Sequence, residues 1–203
     1  MPASKPLRKA RVSRVLVVDA SVVRAAGSLE AIEPVPAICR DLLQTILEVC
    51  HRACISDELR EEWRRHLSRF SRTWLRSMYA RRKIITVPTE PDAGLEENFL
   101  QVRGLSENEQ QALIKDMHLV KAAIAYDKII MSLDDRTHRI LRKIADQNPG
   151  LVDLSWINPT TNFKLTKEWL HETAAADPAW LIIPANRPKP SRRGHRQRPG
   201  EGG

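Results

Sequence analysis

The chain has 203 residues with a formal net charge of +8, 29% charged and 42% hydrophobic; that length favours one domain with extensions and suffices to bury a core. No apolar run approaches the ~18 residues of a membrane span, and no apolar signal core precedes Val15, which argues against a membrane or secretory protein. The positive charge sits at the ends, with five Lys/Arg and no acid in residues 1–14 and six Lys/Arg against one Glu in 184–203.

Residues 1–13 read as a flexible basic arm. Strand one follows over 14–19: Val15-Leu16-Val17-Val18 is a continuous apolar, mostly β-branched run, the pattern of a strand buried on both faces. It ends on Asp19, a carboxylate where open α/β sheets place their ligands. A helix is expected over 21–29 and a second over 36–53, after Pro34 and Pro36. Cys39, Cys50 and Cys54 form an odd set without a CxxC pair, read as free thiols of a reducing, cytoplasmic compartment rather than a zinc site.

A single long helical stretch is expected over 57–82, because Leu59, Trp63, Leu67, Phe70, Trp74 and Met78 recur at helical spacing. Both tryptophans fall on that stripe, so they read as core. Its basic residues offer two readings of equal weight, a solvated face or a phosphate track for RNA through Arg64, Arg65, Arg72 and Arg76. Lys83–Val87 reads as a short strand closed by Pro88. Ser106 and Glu109 form a capping box opening a helix, with further helix over about 116–126. Lys128–Leu133 is the next buried strand and ends on Asp134-Asp135. A helix at 136–146, a turn at 148–150, a strand at 152–157 and a helix at 165–175 complete a body spanning 14–183. Residues 184–203 are rich in Pro, Gly and Arg and read as a disordered basic tail. Basic arms of this kind raise affinity for nucleic acid, with plain solvation as the alternative.

Strands alternating with helices imply βαβ units and a mainly parallel sheet. If the strands ending at Asp19 and Asp134 are neighbours, both acids face one crevice. Glu62, bordering the apolar stripe, and Asp116, between apolar helix positions, are candidates to join them. Carboxylates gathered without matching Lys or Arg repel one another, and a hard divalent cation such as Mg²⁺ or Mn²⁺ resolves that repulsion with oxygen ligands. No Gly-rich phosphate loop appears, which disfavours nucleotide hydrolysis. Each acid also has a plainer reading. Asp19 and Asp134 suit helix N-caps, with Asp135 the better cap of its pair, Glu62 suits an ion pair with Arg65 or His66, and His118 suits packing or hydrogen bonding more than metal ligation.

Val17-Val18-Asp19-Ala20-Ser21, Ser56 to Glu62-Trp63, Lys115-Asp116-Met117-His118 and Met131-Ser132-Leu133-Asp134-Asp135, in that order, resemble a PIN domain over roughly residues 13–160. The resemblance implies a three-layer α/β/α PIN-like domain and a metal-dependent endoribonuclease. It implies Asp19, Glu62, Asp116 and Asp134 as the catalytic and metal-binding acids, with Ser21 and Ser132 as the hydroxyl residues beside them. Ser132-Leu133-Asp134 stands where the family usually has Thr-x-Asp. Asp135 competes with Asp134 for its role, and Glu61 neighbours Glu62. The implied partners are an RNA substrate, an antitoxin protein if the chain is a VapC-type toxin, and a second copy in a homodimer. A non-catalytic PIN scaffold that binds RNA or protein is the alternative.

Overall fold

The computed structural model describes residues 12–87, 97, 99, 101–177 and 179–182. The expected basic tail lies outside these residues, as does all but residues 12 and 13 of the N-terminal arm. The elements run β1 (Val15–Val18), α1 (Ala20–Ala25), α2 (Pro34–Glu48), β2 (Arg52–Ile55), α3 (Asp57–His66), α4 (Arg69–Ala80), β3 (Ile84–Thr86), α5 (Glu107–Ile124), β4 (Ile129–Met131), α6 (Asp135–Ile144), β5 (Ser155–Ile157) and α7 (Phe163–Glu172). The five strands form one parallel sheet in the order β3-β2-β1-β4-β5, flanked by helices in a three-layer α/β/α arrangement.

The central position of β1 explains its composition. All four of its residues are buried, because β2 and β4 cover its edges and helices its faces. From β1 the chain builds toward β2 and β3, then returns to the other side for β4 and β5. The order therefore reverses between β1 and β4, the topological switch point where α/β sheets open a crevice at their carboxyl ends. The register brings Val18 beside Met131, and the backbone N–H of Asp19 donates to Met131 O at 2.9 Å. Asp19 and Asp134 thus follow neighbouring strands, which meets the condition the sequence left open.

The helix expected over 21–29 ends at Ala25 and the strand expected over 152–157 begins at Ser155, and two larger departures accompany these. The helix expected over 36–53 ends at Glu48, and Arg52–Ile55 is strand β2. Lys83 stops that helix: its ammonium donates to the carbonyls of Ile46 (2.5 Å), Leu47 (2.9 Å) and Val49 (2.5 Å), using all three donors on groups the helix terminus leaves orphaned. Burial lowers the Lys83 pKa to about 8. Cys50 and Cys54 therefore share no helical face. All three cysteines are free, Cys39 and Cys54 buried and Cys50 partly so.

The long helix over 57–82 is two helices broken at Leu67 and Ser68. The apolar stripe carries no mark of the break, since its steps of three and four are those of one continuous helix. Ser68 caps α4 by accepting from the Ser71 N–H, and Ser71 Oγ donates to Val23 O at 2.5 Å, docking α4 on the end of α1. Trp63 and Trp74 are buried with centroids 5.7 Å apart, so the stripe is core. The Ser106–Glu109 capping box is formed, and its helix runs unbroken to Ile124. Among the described residues, no helix is long and apolar enough to cross a membrane.

Candidate active site

The cleft at the switch point has a volume of about 560 Å³, and its walls include Asp19, Glu62, Asp116 and Asp134. Each acid arrives from a different element. Asp19 occupies the N-cap position of α1, yet its side chain makes no cap hydrogen bond. It accepts instead from Ser21 Oγ at 2.5 Å and Ser132 Oγ at 2.6 Å, both on Oδ2. The plainer reading of Asp19 as a helix cap is thereby excluded by geometry. Each serine also accepts a backbone N–H, Ser21 from Leu133 at 3.1 Å and Ser132 from Asp134 at 3.0 Å. With their acceptor sites used this way, both hydroxyls turn their protons to Asp19.

Asp134, not Asp135, caps α6: its Oδ1 accepts from the N–H groups of Arg136 (2.7 Å) and Thr137 (3.1 Å). That reverses the sequence expectation about the better cap. Asp135 is exposed, accepts from Asn158 Nδ2 at 3.0 Å and does not line the cleft. Asp116, on α5, accepts from Thr137 Oγ1 at 2.6 Å. Burial raises its pKa first, and the charges of Asp19 and Asp134 add to the rise while Thr137 opposes it. Asp116 therefore senses both of the other carboxylates.

Glu62 is carried into the cleft by its neighbour. Trp63 Nε1 donates to Val18 O at 3.0 Å, pinning α3 over the end of β1. Glu61 points elsewhere, holding Arg64 at 2.8 and 2.9 Å and Arg65 at 3.3 Å. His118 Nδ1 donates to Lys115 O at 3.0 Å, and its Nε2 faces Glu62 Oε2 at 3.4 Å without hydrogen-bond geometry. It packs and hydrogen-bonds, as its plainer reading holds.

The four arginines of the expected track are divided between two helices, Arg64 and Arg65 on α3 and Arg72 and Arg76 on α4. Arg65 lines the cleft, while Arg64 does not; Arg72 and Arg76 are exposed on α4 and also do not line it. The cations at the cleft are Arg24, Arg65 and Lys115, with His66 beside them. Sequence reasoning missed Arg24 and Thr137. Their signals were local: Arg24 lies three residues after Ser21 on α1, and Thr137 is three residues after the α6 cap.

The donor set has the chemistry of a hard-cation site. It is all oxygen, and among the described residues no Lys or Arg forms an ion pair with Asp19, Asp116 or Asp134. Thr137 Oγ1 also approaches Asp134 Oδ2 at 3.1 Å, so one hydroxyl with a single proton stands between two carboxylates. Negative charge thus exceeds the protein's own compensation, which a divalent cation would correct. In this conformation no group of three or more His, Cys, Asp or Glu among the described residues is close enough to enclose a metal ion. One oxygen each of Asp19, Asp116 and Asp134 meets a hydroxyl. No family model, no curated protein and no solved structure matches the chain.

Proposed function

We propose that this protein is a Mg²⁺- or Mn²⁺-dependent endoribonuclease of the PIN type. The observation that carries the reading is the meeting, at the β1/β4 switch point, of four carboxylates from four elements with Arg24, Arg65 and Lys115 in the same cleft. Acids alone would suit a storage site, and cations alone a binding patch. Together they suit a phosphodiester held by cations beside carboxylates that hold a metal. Asp19, Asp116 and Asp134 are the first candidates to hold the ion, with Glu62 completing the set. A divalent cation at this place supplies activation of water and charge compensation at the phosphorus. The serines beside Asp19 orient it, and Arg24, Arg65 and Lys115 bind backbone phosphates. On the resemblance to PIN-type toxins, the biological role is that of the toxin in a toxin–antitoxin pair, with RNA and an antitoxin as partners.

The test is cleavage of RNA by the full chain in Mn²⁺, in EDTA, and by Asp19→Asn. Cleavage that needs Mn²⁺ and drops at least 100-fold in the variant is expected. Undiminished cleavage in EDTA would overturn the reading. Binding of RNA without cleavage in any metal would favour a scaffold.

A further inference from the structure

Thr137 is 1% exposed at the start of α6, and the sequence assigns it no role. Among the described residues it is the side chain that donates to Asp116, at 2.6 Å, while the same oxygen stands 3.1 Å from Asp134 Oδ2. A hydroxyl has one proton, and the shorter contact takes it. The longer contact is then oxygen against oxygen, with no proton between them. Asp134 stays there because two N–H groups at the start of α6 hold its other oxygen. Helix α6 thus grips Asp134 through its backbone and Asp116 through Thr137, setting an acid of α5 against an acid of the β4–α6 junction. Without that link, like charge would drive the two carboxylates apart and Asp116 would be free to leave the cleft.

We propose that Thr137 is a positioning residue of the metal site, fixing the separation of Asp116 and Asp134 so that one divalent cation engages both. The assignment rests on the nuclease reading of the same cleft. Groups that hydrogen-bond metal ligands typically control metal affinity by about 10- to 100-fold. Thr137 is built for that work. Its β-branched side chain is restricted in χ1 within a helix, and its own N–H is already committed to Asp134.

The experiment compares wild type, Thr137→Val and Thr137→Ser as full chains, titrating Mn²⁺ and following both the thermal midpoint and RNA cleavage. Val keeps the shape and deletes the proton donor, while Ser keeps the hydroxyl. Thr137→Val is expected to need at least about 10-fold more Mn²⁺ for half of the midpoint rise and for half-maximal cleavage. Thr137→Ser is expected within about twofold of wild type, since it keeps the hydroxyl. A merely structural role would lower the metal-free midpoint and leave the Mn²⁺ requirement unchanged, which overturns the proposal. If Thr137→Val does not fold, Thr137→Ala is titrated in its place, with the same shift expected and the same overturning result. Should wild type itself show no midpoint rise and no cleavage in Mn²⁺, the nuclease reading fails and this assignment with it. Failure of the Thr137 assignment alone shows as a wild-type response kept by the Val variant.

Discussion

Ser132 Oγ donates to Asp19 Oδ2 across 2.6 Å and accepts the backbone N–H of Asp134 at 3.0 Å. One hydroxyl at the end of β4 therefore orients the acid that follows β1 and the backbone leading to the acid that follows β4. Ser132 is fully buried, so no water replaces it readily. Ser132→Ala should leave the Asp134 N–H unpaired and Asp19 with one donor of two. The expected loss is about 1–3 kcal/mol of stability and about 10-fold in Mn²⁺ affinity. Denaturant unfolding and Mn²⁺ titration of the thermal midpoint measure the two effects separately.

Asp116 offers a test whose sign is unusual for a site residue. Its folded pKa is raised above the ordinary 3.8, chiefly by burial. The stability associated with its protonated form is complete below that unfolded value and is lost as pH rises through the folded one. At neutral pH the metal-free protein therefore carries the full cost of the charged form. Asp116→Asn should raise the metal-free midpoint at pH 7, by about 2–4 °C if the relief is near 1 kcal/mol, while abolishing cleavage. The advantage should shrink as the pH falls and the wild-type carboxyl takes up its proton. In Mn²⁺ the order should reverse, because only wild type gains from binding. Calorimetry at two pH values, with and without Mn²⁺, checks all three statements.

Arg24, Arg65 and Lys115 line the cleft, while Arg72 and Arg76 of the expected track do not. Arg24→Ala, Arg65→Ala or Lys115→Ala should each raise KM by roughly three- to tenfold with little change in kcat, and lower the salt slope of binding by about one. Arg72→Ala and Arg76→Ala should change neither, since both lie on α4 and outside the cleft lining. Steady-state kinetics at several salt concentrations distinguish the two groups. An equal effect from both would restore the continuous Arg track.

The parts legible in the sequence were those with a strong local signature. β1 was readable because a strand buried on both faces must be apolar throughout, and Val15–Val18 is. The α5 start was readable from Ser106 and Glu109, whose side chains satisfy orphan amides within four residues. β2 was not readable. Its Arg52-Ala53-Cys54-Ile55 lacks a run of β-branched residues, and its partners Val15–Val17 and Ile84–Thr86 are distant in the chain. The break between α3 and α4 was hidden for a similar reason. An apolar stripe passes through it unbroken, and Val23, which α4 docks against, lies 48 residues from Ser71.

At the candidate site the division is the same. The sequence by itself determined which acids follow β1 and β4 and that Asp116 and Glu62 lie on helices, because strand ends and helical phase are local properties. Only the tertiary structure decided that β1 and β4 are neighbours, that Asp19 accepts serine hydroxyls instead of capping α1, and that Asp134 and Glu62 line the cleft while Asp135 and Glu61 do not. Adjacent residues on a helix point about 100° apart, so whether Glu61 or Glu62 enters the cleft depends on what holds the helix. Here that is the Trp63 hydrogen bond to Val18, a contact across 45 residues that no local pattern encodes.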